Sequence, residues 1–217
     1  MRVAVINETS AGDKNKDIVG ALEGRGLILM NAGMQERGAK PELSYIHTGL
    51  MSALLLYARR VDFVVGGCGT GQGYLNSVMQ YPGVSCGHIL SDLDAWLFTQ
   101  INSGNCISLA LNQGYGWAGE VNLKFIFDRI FGEAWGRGFP THRAEPQREF
   151  RQTLEAVNQV THRPFAEIIS ALPDEILQPA LEYPGFLDLL DVESIDDADL
   201  KTALKARLAE YALHQTH

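Results

Sequence analysis

Basic clusters, long apolar runs and cysteine are all scarce in this chain of 217 residues, and each shortage excludes a class of function. With 18 lysines and arginines against 26 acidic residues the formal net charge is −8, and no dense Lys/Arg cluster occurs anywhere. A nucleic-acid-binding surface needs a basic stripe to neutralise phosphates, so no nucleic-acid partner is expected. The longest apolar stretch, around Met51 to Ala58, falls well short of the ~20 residues that span a bilayer, so no membrane partner is expected either. The start, Met1-Arg2-Val3-Ala4-Val5-Ile6, reads as a strand and lacks the apolar core of a signal peptide. Three cysteines, Cys68, Cys86 and Cys106, are an odd number without metal-site spacing. They argue against a disulfide framework and for free thiols in a reducing cytoplasm. The remainder, 46% hydrophobic and 20% charged, is too apolar for disorder and sufficient for one core with an appendage.

Short apolar runs alternate with helical patterns from Met1 to about Phe131. Strands are expected at Arg2 to Ile6, Leu27 to Asn31, Asp62 to Gly67, Val84 to Leu90 and Cys106 to Leu111. Helices are expected at Lys14 to Arg25, Tyr45 to Arg59, Leu75 to Tyr81, Asp92 to Gln100 and Glu120 to Phe131. Strands separated by helices require crossover connections, which implies an α/β fold with a parallel sheet and helices on both faces. Gly136, Gly138, Pro140 and Pro146 mark Gly132 to Pro146 as a linker or arm. Beyond it, helical patterns run over Arg148 to Val160, Pro164 to Ala171 and Asp199 to Leu213, with Thr161 a candidate N-cap for the second. The acidic run Asp188 to Asp199 reads as a solvated surface leading into a helix N-terminus. The expected division is residues 1–135 as the α/β domain and 136–217 as an arm with a helical C-terminal extension.

The chemistry concentrates at Gly67-Cys68-Gly69-Thr70-Gly71-Gln72-Gly73, between a strand and a helix. Ligands of open parallel sheets bind beyond the carboxyl ends of strands. Glycines there permit positive φ and close backbone approach, leaving N–H groups to face an anion or a developing oxyanion. The loop has neither the dinucleotide context nor the Gly-Lys-Ser/Thr of a P-loop, which leaves nucleotide binding as a weak alternative. Cys68, flanked by glycines before a helix, is in a setting that favours a thiolate. Such a thiolate can remove a proton next to a carbonyl while N–H groups stabilise the enediolate. A small apolar filler is the competing reading. For Cys86 and Cys106 core packing is expected.

Asp62 to Gly73 (DFVVGGCGTGQG), Pro82-Gly83-Val84 and Gln100 to Asn105 (QINSGN) resemble the ribose-5-phosphate isomerase B / galactose-6-phosphate isomerase family, whose most specific motif, Cys-Gly-Thr-Gly-x-Gly, is intact here. The resemblance covers roughly Met1 to Arg143. It implies a Rossmann-like three-layer αβα parallel sheet, followed here by the C-terminal helical extension. It further implies a homodimer or dimer of dimers with sites at the subunit interface, and aldose–ketose isomerisation without cofactor or metal on a sugar phosphate or sugar acid. By that match Cys68 is the base between C1 and C2, while Thr70 and the amides of Gly69, Gly71 and Gly73 hold the oxyanion. His47 keeps the place of a family histidine, for a ring or a phosphate or as a structural group. Arg143, with Arg137, occupies the region from which family arginines reach the partner's site.

Departures from the pattern bear on the substrate. The family's Asp-His pair after the first strand corresponds to Glu8-Thr9, and its ring-opening histidine falls on Ile101, which cannot transfer a proton. The segment Asn112 to Trp117 carries no arginine for a phosphate. Glu8, at a strand end, is a candidate hydroxyl ligand or second acid/base. Asn102 and Asn105 are candidates for hydroxyl or carbonyl contacts or for turn capping, and Tyr115 and Trp117 for pocket walls or plain packing. The variant pattern resembles a branch that includes isomerases of 4-deoxy-5-keto-hexuronates, open-chain carbonyl compounds carrying a carboxylate. A sugar-binding module without turnover is the alternative from another class.

Overall fold

The computed structural model describes residues 1–214. Five strands, β1 (Arg2–Asn7), β2 (Ile28–Asn31), β3 (Phe63–Cys68), β4 (Cys86–Ile89) and β5 (Cys106–Ala110), form one parallel sheet in the order β2-β1-β3-β5-β4. β3 is buried at every position, as a strand covered on both faces must be. Alternate residues therefore divide between two apolar layers. Ala4, Ile6, Val64, Cys68 and Cys106 pack under α2 (Tyr45–Tyr57) and α3 (Gln72–Val78). Val3, Val5, Phe63, Val65 and Ile107 pack under α1 (Asn15–Leu22), α4 (Asp92–Leu97) and α5 (Gly119–Phe131). The result is the expected three-layer, Rossmann-like α/β fold. The chain leaves β1 toward β2 on one side and β3 on the other, so the crevice between the carboxyl ends of β1 and β3 is the topological switch point.

Glycines set how closely α3 lies on the sheet. A Cβ at Gly66 would stand 2.1 Å from the ring of Tyr74, which is fully buried and shares a 2.7 Å hydrogen bond with Ser52 Oγ. At Gly67 it would stand 2.4 Å from the carbonyl oxygen of Leu109 on β5. The helix consequently begins at Gln72, inside the glycine loop and three residues before the expected Leu75. Gly71, at φ 75°, supplies the left-handed turn that starts it. The helix expected to run to Gln100 gives way after Leu97 to a π-helical segment, Phe98–Asn102.

After α5 an arm runs to α6 (Ala144–Thr161), which begins four residues before the expected Arg148 because Pro146 lies in the first turn, where a missing N–H is harmless. Thr161 is the last residue of α6, with Oγ1 donating to the Val157 carbonyl at 2.9 Å; it does not cap α7 (Phe165–Ala171). Two further helices have no counterpart in the sequence pattern: α8 (Asp174–Leu181), which contains Pro179, and α9 (Phe186–Leu190), a five-residue helix that runs into the acidic stretch. The last helix, α10, spans Ala198–His214. Phe165, Ile169, Leu177, Phe186, Leu200 and Leu204 join Leu50 and Leu54 of α2 in one buried cluster, so α7–α10 thicken one face of the sheet domain.

Replacing Gly66 by Ala forces Tyr74 and the start of α3 off β3. It is expected to cost about 2–3 kcal/mol, read as a lower urea midpoint with an unchanged slope.

Candidate functional site

Cys68 ends β3 at the switch point and is 5% exposed. Its carbonyl accepts the N–H of Gly71 at 3.3 Å, closing a tight turn over Gly69 and Thr70, and the N–H of Leu111 at 3.0 Å. Every neighbour fastens this turn. Gly69 donates its N–H to Ser10 Oγ at 3.1 Å, and its carbonyl accepts from Asn112 N at 2.9 Å and Gln113 N at 3.1 Å. His88 Nε2 lies 2.9 Å from the Thr70 carbonyl, and the hydroxyl of Ser108 donates to the Gly71 carbonyl. Thr70 Oγ1 accepts from Gln72 N at 3.4 Å. Among the described residues the N–H groups of Thr70, Gly73 and Tyr74 have no partner, as expected where a helix begins.

Glu8 follows β1 on the other side of the crevice and is 4% exposed. Its carboxylate accepts from the Ser10 hydroxyl and, at 3.1 Å, from Ser10 N. Ser10 in turn accepts from Gly69 N, and its carbonyl takes Asn112 Nδ2 at 2.8 Å. Glu8, Ser10, Gly69 and Asn112 thus form one hydrogen-bonded unit joining the ends of β1, β3 and β5, directly beside Cys68. Glu8 was visible in the sequence; Ser10, Asn112 and His88 were missed. Position after a strand end could have marked Ser10 and Asn112, whereas nothing in the sequence signals that His88, on an edge strand, reaches the loop.

Other expected site residues lie elsewhere. Both ring nitrogens of His47 are engaged: Nδ1 accepts Ser44 N at 3.0 Å in a capping box, and Nε2 donates to the Glu175 carbonyl at 3.0 Å. Of the roles open to His47, the structural one is observed: it caps α2 and ties that helix to α8. Asn105 precedes β5, at the opposite edge of the sheet from Cys68. It accepts from Ser85 N at 2.9 Å and donates to the Gly83 carbonyl at 2.8 Å, so of its two expected roles the turn brace is the one observed. Asn102 ends the π-helical segment near that same edge and is exposed. The arm is pinned to this segment by Gly136 N on the Thr99 carbonyl and Gly138 N on the Gln100 carbonyl. Arg151 of α6 holds the Ile101 carbonyl at 2.8 Å. Arg137 and Arg143 on the arm are exposed, with no side-chain partner among the described residues. One chain therefore holds two separate groups, the Cys68 turn with Glu8 and the π-helical segment with the arm.

The aromatic pair also divides. Tyr115 donates to Asp17 at 2.8 Å and lines a cavity of about 240 Å³ with Ile89, Leu109, Leu111, Leu123 and Ile126, on the α5 side of the sheet. Trp117 is 97% exposed and walls nothing. Burial pushes the Cys86 thiol up, away from the reactive thiolate, in keeping with packing. Among the described residues no group of three His, Cys, Asp or Glu side chains is arranged to hold a metal, and no helix is long and apolar enough to cross a membrane.

A family model described as Ribose/Galactose Isomerase matches residues 3–130. A solved ribose-5-phosphate isomerase from Vibrio parahaemolyticus is 38% identical with a TM-score of 0.88, over 95% of this chain and 98% of that one. A 4-deoxy-L-threo-5-hexosulose-uronate ketol-isomerase, solved with a tartrate, is 32% identical with a TM-score of 0.88, over 96% of this chain and 100% of that one. The type B ribose 5-phosphate isomerase of Trypanosoma cruzi is 15% identical with a TM-score of 0.63; it covers 74% of this chain and likens the fold alone. No curated protein sequence matches.

If His47 is a cap and a tie rather than a ligand group, His47→Ala lowers stability by about 1 kcal/mol and leaves KM unchanged. Denaturant titration and steady-state kinetics on the same preparation check both halves.

Proposed function

Because the chain belongs to the ribose/galactose isomerase family, we propose that it interconverts an aldose and a ketose at the crevice between β1 and β3, with Cys68 as the base. The observation that carries this reading is the turn itself, which presents a cysteine at the switch point beside three unpartnered amides. The Cys68 thiolate takes the proton from the carbon next to the substrate carbonyl. Negative charge moves to the carbonyl oxygen, where the N–H groups of Thr70 and Gly73 and the Thr70 hydroxyl face it. An oxyanion is held best by donors fixed in advance, and this turn is fixed from every side. The resulting thiol returns the proton to the neighbouring carbon. Glu8, held by Ser10, is the group for moving the hydroxyl proton between the two oxygens. The N–H groups of Gly69 and Gly71 face Ser10 and the Cys68 carbonyl, so their share is to shape the turn.

For the substrate, a second reading has its own support. Ile101 stands where a ring-opening acid would, residues 112–117 lack a cation, and a ketol-isomerase of an open-chain hexuronate shares 32% identity over almost the whole chain. A substrate that is already open needs no ring-opening acid, which favours a 4-deoxy-5-keto-hexuronate over a cyclic sugar phosphate. The three unpaired cysteines suit a reducing cytoplasm.

We also propose that the working form is a homodimer. Phe150, Leu154, Val157 and Val160 make an exposed apolar stripe on α6 (45–82% exposed), beside the arm that carries Arg143. Pairing through this stripe offers Asn102 and Arg143 of one copy to the anionic end of a substrate on the other copy's Cys68.

Cys68→Ser is expected to lower turnover by about 10²–10⁴-fold while ligand binding, read by calorimetry, persists. A panel of ribose 5-phosphate and the deoxy-keto-uronate identifies the substrate, and comparable turnover of both sinks the uronate reading. Leu154→Asp is expected to convert the dimer to monomer in sedimentation velocity and to remove activity together with it.

A further inference from the structure

His88 takes no part in the proton transfers proposed above, yet its side chain holds the Cys68 turn from β4. It lies on β4, in register with Ser108, on the same side of the sheet as Gly66 and Cys68. Its Nε2 is 2.9 Å from the Thr70 carbonyl oxygen, and a Cβ at Gly71 would stand 2.6 Å from that same nitrogen. A carbonyl only accepts, so Nε2 carries the proton, and Nδ1 has no partner among the described residues.

The consequence follows from peptide geometry. In a trans peptide the C=O and the next N–H point in opposite directions. Fixing the Thr70 carbonyl on His88 therefore aims the Gly71 N–H the other way, onto the Cys68 carbonyl, where it closes the turn at 3.3 Å. Ser108 treats the next peptide likewise, holding the Gly71 carbonyl and turning Gln72 N–H toward Thr70 Oγ1. Two side chains from neighbouring strands thus set two consecutive peptide planes of the loop that begins at Cys68. We propose that His88 is a positioning residue for the isomerase reaction, acting as an Nε2–H donor that locks the Cys68–Gly71 turn. It does so without itself exchanging a proton with the substrate. The kinetic side of this proposal rests on the isomerase reading; the thiol-reactivity side does not.

The substitutions are His88→Leu, which removes the donor, and His88→Gln, whose side-chain amide places an N–H near the original Nε2. His88→Leu is expected to lower kcat by about 10² through misplacement of the turn, with KM little changed. It is also expected to speed alkylation of Cys68 by chloroacetamide several-fold, followed by mass spectrometry of the Cys68 peptide, because a loosened turn exposes a thiol now buried. His88→Gln restores both toward wild type. Unchanged kcat and unchanged alkylation in His88→Leu overturn the proposal. So does a His88→Gln variant with normal alkylation but lost turnover, since that marks the ring as a proton carrier. If wild type isomerises no sugar, the isomerase reading fails, while the alkylation ranking of the two variants still decides the role of His88. Nitrogen-15 NMR of the wild-type ring supplies a check that needs no variant: the Nε2–H tautomer supports the assignment, and the Nδ1–H tautomer removes it.

Discussion

The backbone of β3 can be approached from both sides only because Gly66 and Gly67 have no side chains, and the candidate site depends on that close approach. The Tyr74 ring lies where a Cβ of residue 66 would be, and the Leu109 carbonyl where a Cβ of residue 67 would be. α3 can therefore begin at Gln72, with only three residues between it and the strand end at Cys68. The turn between them is only as long as Cys68 to Gly71, so the cysteine and the helix's free N–H groups are forced into one small volume. Tyr74 secures the arrangement from beneath: burial pushes its phenol up, keeping the hydroxyl protonated to share a hydrogen bond with Ser52. A larger residue at Gly66 would push on the Tyr74 ring and lift α3, and one at Gly67 would push on the Leu109 backbone and part β3 from β5.

The sheet order then determines which other residues can reach this turn. β1 and β5 flank β3, so the residues just beyond their carboxyl ends, Glu8 to Ser10 and Leu111 to Gln113, are the nearest neighbours of Cys68. They supply the hydrogen bonds that hold Gly69 on both its N–H and its carbonyl. β4, one strand further out, reaches the turn through the longer side chain of His88, whose Nε2 lies 2.9 Å from the Thr70 carbonyl. Rigid support of this kind is what an oxyanion site requires, because a donor that must reorient during the reaction gives back much of its electrostatic advantage.

Much of this was legible in the sequence. The glycine loop after a buried strand located Cys68, and the strand-end carboxylate located Glu8, because both are local signals tied to strand ends. His47 and Asn105 each carry two readings in the sequence for a common reason: a polar residue on a helix or before a strand looks the same whether it faces a ligand or caps its own backbone. Only the partners distinguish the cases, and both side chains turn out to be fully engaged. α8 and α9 were hidden by Pro179 and by the shortness of the second; their apolar residues pack on α2, far away in sequence. His88 was invisible because its role depends on the register of two strands and on a turn folding back over them.

The separation of the two residue groups carries a consequence for assembly. β5 runs five residues between Asn105 and Leu111, which at strand rise is about 15 Å, and it separates the edge of the sheet that carries Asn105 from the edge that carries the Cys68 turn. The π-helical segment and the arm are tied to each other and to the former edge by the bonds of Gly136, Gly138 and Arg151. This separation is what the proposed homodimer answers, since pairing offers Asn102 and Arg143 to a substrate held by the other copy. The same bonds that keep them from their own Cys68 would then keep them fixed for the neighbour's. Arg151 holds the carbonyl of Ile101 at 2.8 Å and so fixes the shape of that segment against α6.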